Sequence, residues 1–382
     1  MKVVWLNVFL VAWAVTTVLG GQSPALRITS PEPGAIVTGR TRLEAVIAPP
    51  ADVKAVNFFV NGRLVCTVER PPFVCPWDPG PVVRGHHVRV VATMADGSLL
   101  TGNVRTKDLG HVERARAEAV LVPVLVTRGG DFVHGLKKED FDVFENGVQQ
   151  RVASLLSEES PLDLVLAIDI SGSMADSLED VKTAVKLFLS KLRPGDAATL
   201  LGFNDTPFIV AEREKDQRTR EEAVGLLSSW GGTALYDATV LSVDMVSRES
   251  GRKGIVLFSD GDDRSSLTAR GTATARVQAS DAMLYAVAFG AGATLSDLRS
   301  NLENYARSTG GSVFFPRQTK DLDGVFDRIV TELGNQYVLS YSSTDPRQDG
   351  KWREIKVRAR KGDYDIRARR GYRADGLQRS EK

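Results

Sequence analysis

The scarcest residues of this 382-residue chain set the first limits on what it does. Its four histidines are His86, His87, His111 and His134, and its two cysteines are Cys66 and Cys75, so neither type occurs after residue 134. Ser/His/Asp and Cys/His catalysis are thereby excluded from the remainder of the chain, as are zinc sites built on thiolate or imidazole. A metal bound there must be held by oxygen. A surplus of one charge is also missing: Lys+Arg 49 against Asp+Glu 48 leaves a formal +1, without the basic excess that draws a whole chain onto nucleic acid. Long apolar runs are missing beyond the first residues, so no later segment is expected to cross a bilayer. Phosphate-binding glycine loops are missing too. No Gly-x-x-x-x-Gly-Lys-Ser/Thr occurs, and after Gly290-Ala291-Gly292 the third glycine of a dinucleotide loop is replaced by Leu295.

What is present is ordinary globular material, 42% hydrophobic and 25% charged, in a length that predicts two to three domains. Lys2 precedes an uncharged stretch from Val3 to Leu19, followed by Gly20 and Gly21. Residues 1–21 read as a secretory signal, with an uncleaved anchor as the alternative. The mature chain is therefore expected outside the cytoplasm, secreted, periplasmic or envelope-associated, with no stable membrane span.

Residues 25–107 read as short strands separated by turn signals, among them a hairpin through Asn61-Gly62, and predict a small β-sandwich. Cys66 and Cys75 flank a loop containing Pro71-Pro72 that is able to bring them together. In an exported chain they read as a disulfide, and otherwise as two buried thiols. Residues 112–157 are again strand-like. Pro123 within the run from Ala119 to Val126 suits an edge strand, and a second Asn-Gly occurs at Asn146-Gly147.

From Leu162 the pattern changes. Continuous apolar strands such as Leu164–Ile168, Ala197–Phe203, Ile255–Phe258 and Leu284–Phe289 alternate with amphipathic helices near 177–191, 235–248, 268–279, 295–308 and 322–333. This predicts a doubly wound α/β domain over 161–335, with a mostly parallel sheet covered on both faces. Residues 336–373 return to strands and are expected to pair with 112–157 into one sandwich, into which the α/β domain is inserted. Residues 374–382 read as a disordered tail. Lys351–Arg373 holds ten basic and three acidic residues, a local +7. Sparse aromatics make this a solvated strand face, touching at most anionic envelope polymers, rather than a nucleic-acid site.

Chemistry concentrates at three strand ends. Asp169-Ile170-Ser171-Gly172-Ser173 follows Leu164–Ile168, Trp230-Gly231-Gly232-Thr233 opens a helix, and Ser259-Asp260-Gly261-Asp262-Asp263 follows Ile255–Phe258. In open α/β sheets ligands bind at the carboxyl ends of strands. An Asp with hydroxyls two and four positions on, beside a glycine that lets the backbone curl, can aim three oxygens at one point.

Asp-x-Ser-x-Ser, a later Gly-Gly-Thr-Ala and a Ser-Asp-Gly after an apolar strand resemble the metal-ion-dependent adhesion site of von Willebrand factor A domains. The flanking "GLKKEDFDVFENGVQQ" and "KWREIKVRAR" stretches resemble secreted bacterial proteins of that type, and residues 25–107, with "VNFFVNGRLV" and "PPFVCPWDPG", resemble bacterial Ig-like modules. The resemblance implies a Rossmann-like domain in which Ser171, Ser173 and Thr233 offer hydroxyls to a cation while Asp169 and Asp260 contact it directly or through water. Hard oxygen donors favour Mg²⁺, with Mn²⁺ or Ca²⁺ possible. A partner protein or matrix ligand would complete the shell with an acidic group.

Around these residues, Ser177 reads as a helix N-cap and Asp262 and Asp263 as solvated loop charges, with a supporting role at the site as the alternative for those two and for Asp205 and Asp237. The resulting expectation is a non-enzymatic, cation-dependent binding protein. Two alternatives remain: an envelope scaffold whose cation is structural, and a Mg²⁺-assisted hydrolase using Asp169 with the 260–263 loop.

Overall fold

A computed structural model describes residues 23–37, 41–79, 85–107, 119–249 and 251–374. The signal segment over 1–21, His111 and the tail from residue 375 onward lie outside the described residues.

Seven strands form the N-terminal module: β1 (Ala25–Ser30), β2 (Thr41–Ala48), β3 (Val53–Val60), β4 (Arg63–Val68), β5 (Phe73–Trp77), β6 (His87–Met94) and β7 (Leu99–Arg105). They make two antiparallel sheets, ordered β1-β2-β5 and β4-β3-β6-β7. Alternation explains the packing, since Leu43, Ala45 and Ile47 of β2 and Val56, Phe58 and Val60 of β3 point into one buried core with Phe73 and Val90. Asn61 (φ 51°) and Gly62 (φ 80°) both take the left-handed backbone that a two-residue hairpin demands. A disulfide joins Cys66 on β4 to Cys75 on β5, which belong to different sheets.

The next segment contains β8 (Val120–Arg128), β9 (Asp131–Phe132), β10 (Phe141–Glu145), β11 (Val148–Gln150) and β12 (Val152–Leu156). Then comes the α/β region, with β13 (Leu162–Asp169), α1 (Leu178–Ser190), β14 (Ala197–Phe203), β15 (Pro207–Glu214), α2 (Gln217–Gly225), α3 (Leu235–Val246) and β16 (Arg252–Ser259). It continues with α4 (Arg270–Ala279), β17 (Met283–Ala288), α5 (Ser296–Thr309), β18 (Val313–Phe314) and α6 (Leu322–Gly334). The final strands are β19 (Tyr337–Tyr341), β20 (Trp352–Ala359), β21 (Asp365–Ala368) and β22 (Gly371–Arg373).

The central sheet is ordered β15-β14-β13-β16-β17-β18 and is parallel except for β15, which runs antiparallel along one edge. Successive side chains leave opposite faces. Leu164, Leu166 and Ile168 pack with α1, α2 and α6, while Val165 and Ala167 pack with α3, α4 and α5. Both faces are thus buried, which is why these strands read as unbroken apolar runs. The exceptions occur in β16, where Arg252 is fully buried and donates to the carbonyls of Ser160 and Leu333, both at 2.6 Å. Burial lowers its pKa to about 10.

Two further sheets contain strands from before and after the α/β region: β12-β19-β8-β21, with β9 paired to β8, and β11-β10-β20-β22. Their apolar faces share a core of Val122, Val124, Phe141, Val143, Tyr337, Leu339 and Ile355. Strand β8 is not an edge strand, being paired on both sides by β19 and β21. Its proline is tolerated because the pairing with β21 stops at Val124, so no strand on that side asks Pro123 for an N–H. The basic face of the C-terminal hairpin is partly used internally: Arg353 pairs with Asp345 and Asp349, Arg360 with Asp142, and Arg367 with Glu332.

The N-terminal module is docked against the α/β region. Ile209 on edge strand β15 donates its N–H to the Gly62 carbonyl at 3.0 Å, Arg63 pairs with Glu212, and Arg105 with the buried Asp237. The hairpin tip therefore caps an otherwise open sheet edge. Nε2 of His87 is buried at this seam without a hydrogen-bond partner. Burial, then Arg105, and more weakly Arg89, hold its pKa down at about 4 against the opposing charge of Asp237.

Two outcomes follow from the packing. Phe258, fully buried between Phe289 and Phe326, is expected to cost about 3–5 kcal/mol on Phe258→Ala, read from denaturant midpoints. His87 binds its proton less readily folded than unfolded, so its stabilising contribution is complete above its ordinary value of 6.5 and is lost as pH falls towards about 4. His87→Gln should flatten that stretch of the stability–pH curve; an unchanged slope would discount the histidine.

Candidate metal centre

The site forms where β13 and β16 end side by side in the middle of the parallel sheet. Residue 169 ends β13 and is completely buried. Its Oδ1 accepts the Ser171 N–H at 2.9 Å and its Oδ2 accepts the Ser259 hydroxyl at 2.6 Å. Both donors are neutral. Burial raises the Asp169 pKa to about 6, the two hydrogen bonds oppose the rise, and the nearby charge of Asp260 adds to it.

A chain of oxygens continues from there. The Ser171 and Ser173 hydroxyls are 3.0 Å apart, and Ser173 Oγ donates to Asp260 Oδ1 at 2.8 Å. Burial pushes the Asp260 carboxyl up as well. Thr233 is buried beside the same turn, since a Cβ built on Gly261 would lie 3.4 Å from its Oγ1. The structure thus brings Asp169, Ser171, Ser173 and Asp260 into one hydrogen-bonded chain, with Thr233 against the Asp260-Gly261 turn and outside that chain.

Backbone contacts set these loops against each other. Gly172 N–H donates to the Gly231 carbonyl at 2.9 Å, and Trp230 N–H to the Ile170 carbonyl at 2.9 Å, which ties the threonine loop to the serine loop. Arg264 and Ser265 donate their N–H groups to the Thr233 carbonyl at 2.8 and 3.0 Å, tying in the aspartate loop. Gly231 (φ +77°) and Gly292 have no room for a side chain: a Cβ would lie 2.6 Å from Asp205 Oδ2 in the first case and 2.7 Å from the Asp260 carbonyl in the second.

The other carboxylates support rather than join the chain. Asp205 accepts the Gly232 N–H at 2.8 Å, and Asp263 accepts the Tyr236 N–H at 3.1 Å. Asp237 accepts the Leu267 and Thr268 N–H groups, both at 2.9 Å. Ser177 stands at the N-cap position of α1, but its side chain makes no capping bond. Ser259 was read only as part of a motif; its role as the hydroxyl partner of Asp169 depends on β13 and β16 being neighbours, a pairing that no local pattern encodes.

Comparison with known families bears on both halves of the described chain. Residues 164–262 match the von Willebrand factor type A domain. Residues 24–99 match the bacterial Ig domain. No curated protein matches the chain. Among solved structures, proximal thread matrix protein 1 from the mussel byssus is 16% identical, with a TM-score of 0.40, over 48% of each chain. This chain therefore spans about half the length of that protein. The vWF domain of the type V pili tip protein Mfa5 from Porphyromonas gingivalis is 13% identical, covering 46% of this chain and 95% of that one, with a TM-score of 0.40. A von Willebrand factor type A protein from Catenulispora acidiphila is 13% identical, covering 85% and 74%, with a TM-score of 0.42. The oxygen chain lies within the type A match, on its strand-end loops.

The donors at this centre suit a hard divalent cation. Every polar side chain in the chain from Asp169 to Asp260 offers oxygen, and the carboxylate at its base is buried with another carboxylate, not a cation, as its charged neighbour. Among the described residues no group of three or more His, Cys, Asp or Glu could hold a metal.

The geometry of the threonine loop can be tested without a ligand. Gly231→Ala is expected to destabilise by more than about 1 kcal/mol because of its positive φ and its closeness to Asp205. Gly225→Ala, with nothing within 4 Å, should be near neutral in the same thermal melts. Equal melting temperatures for the two variants would refute the tight loop.

Proposed function

We propose that this chain is an exported binding protein whose type A domain holds a divalent cation, Mg²⁺ with Mn²⁺ or Ca²⁺ as substitutes, and uses it to capture an acidic group on a protein or matrix partner. Asp169, Ser171, Ser173, Thr233 and Asp260 are the residues assigned to hold it. The observation that carries the reading is the hydrogen-bonded run of oxygens from buried Asp169 through Ser171 and Ser173 to Asp260, at the carboxyl edge of a parallel sheet. Three of the five donors are neutral hydroxyls. A cation among them keeps much of its electrophilicity, so a carboxylate from outside gains by joining it.

In the same reading the type A domain, over 161–335, is a doubly wound Rossmann-like unit inserted between two β-rich flanks, and residues 1–21 are the export signal. Strands before and after the domain share sheets, which supports insertion rather than tandem linkage. Among the described residues no helix is long and apolar enough to cross a membrane.

A hydrolytic role finds no support in the geometry. No histidine occurs after residue 134 to move a proton beside Asp169.

Calorimetric titration of the full chain with Mg²⁺ tests the reading. Binding is expected in the native chain and is expected to vanish in Asp169→Ala. Pull-downs from envelope extracts should lose their partner both on chelation and in that variant. Undiminished Mg²⁺ binding by Asp169→Ala would falsify the assignment.

A further inference from the structure

Two arginines of the N-terminal module reach across the seam and grip the threonine loop at its two ends. At the near end, Arg89 on β6 is buried, and its guanidinium carbon lies 5.2 Å from the Trp230 ring centre, 5.8 Å from Phe208 and 5.9 Å from Phe59. The charge of Asp205 stabilises it against burial, and Asp205 in turn accepts the Gly232 N–H. At the far end, Arg105 on β7 donates to Asp237 Oδ1 at 2.6 Å. Asp237 is a buried carboxylate in the first turn of α3, and it also takes two backbone N–H groups and the Thr268 hydroxyl from the segment following Asp260–Asp263. Residues 230 to 237 therefore run between two cationic contacts that the type A domain does not itself supply.

A buried carboxylate that loses its ion-pair partner must recruit water or move, and Asp237 cannot move without pulling on both α3 and the 267–268 backbone. Trp230 is likewise bonded through its N–H to Ile170, in the middle of the Asp169–Ser173 loop. Displacing either end of the loop shifts Thr233 relative to the serines and Asp260.

Resting on the cation-site reading above, we propose that the Ig module is a working part of that site rather than a spacer: Arg89 and Arg105 are positioning residues that preset the Thr233 loop, so cation affinity and docking of the module are coupled. The coupling is reciprocal. A cation that favours the ordered loop must also favour the docked module, by the same factor.

The test is Mn²⁺ titration of the full chain, read by the loss of the free-ion paramagnetic signal, with hydrogen exchange at the Ile209 amide as a second readout. That amide donates to Gly62 across the seam and so reports docking far from the cation. Arg105→Gln is expected to weaken Mn²⁺ binding about tenfold, while Arg105→Lys, which keeps the charge, restores most of it. Arg63→Gln removes only the solvent-exposed pairing with Glu212, which is too weak to undock the module and touches neither end of the loop, so it should leave both Ile209 exchange and the affinity as they were. Saturating Mg²⁺ should slow exchange at Ile209 in the native chain and not in Arg105→Gln. If Arg105→Gln fails to fold, Arg89→Met, which keeps an apolar stem beside Trp230, carries the same expected loss. Native affinity in the folded Arg105→Gln or Arg89→Met chain, an equal loss in Arg63→Gln, or Ile209 exchange indifferent to Mg²⁺ overturns the coupling while leaving the cation site standing. Absence of Mn²⁺ binding by the native chain overturns the site and the coupling together.

Discussion

Asp169 ends the central strand of a parallel sheet with its carboxylate fully buried, and its two oxygens are met by one hydroxyl and one backbone N–H. Two neutral hydrogen bonds ease the burial of a charge but do not balance it, and the nearby Asp260 carboxylate adds a smaller push in the same direction as burial. The surrounding loops are arranged as such a group requires. They bring hydroxyls rather than hydrocarbon to its open side, and glycines at 231 and 292 let the backbones close to distances that no side chain would permit. The stable sheet beneath holds this costly arrangement in place, since β13 and β16 are buried along almost their whole length.

The seam between the two modules obeys a related constraint. An apolar interface could have joined them, yet the contacts that reach the threonine loop are made by arginines, one stacked among aromatic rings and one paired with a buried carboxylate. Guanidinium groups stay charged even when burial lowers their pKa, to about 10 for Arg89. Such contacts are poor at simply adding stability and good at specifying a single arrangement, because each demands its partner in one place. Capping of the β15 edge by the Gly62 turn adds a backbone bond to the same arrangement.

Much of this was legible in the sequence where local pattern and tertiary environment agree. Apolar runs such as Leu164–Ile168 and Ile255–Phe258 could only be strands buried on both faces, and Asn61-Gly62 and Asn146-Gly147 could only be tight turns. Helix α2 and strand β15 escaped the reading because their burial is partial: Gln217–Gly225 is mostly polar, and Pro207–Glu214 lies on an edge with a mixed pattern. Pro123 was read as an edge signal because a missing N–H matters only where a neighbour needs it, and the end of β21 at Val124 is a property of the sheet, not of β8. The same limit hid Arg89, Arg105 and Arg252. A basic residue in a strand reads as solvated until the structure shows which distant carbonyl, ring or carboxylate it meets.

That limit also decides between the two surfaces the composition singled out. The local +7 of the C-terminal hairpin reads as a solvated strand face, and part of it is used internally: Arg353, Arg360 and Arg367 pair with Asp345, Asp349, Asp142 and Glu332, and Arg369 is buried with its donors on the carbonyls of Gly371 and Leu121. Those guanidinium groups are structural bolts of the sandwich, and what remains of the charge is spread along a solvated strand face. The oxygen centre is the reverse case. Its groups bond chiefly to one another, the buried carboxylate at its base has no cationic partner among the described residues, and it stands where three loops within the type A match meet. Charge that the fold has already neutralised has little left to offer a ligand, whereas the carboxylate that ends β13 is met among the described residues by a neutral N–H and a neutral hydroxyl, and it is on this difference that the proposed cation site rests.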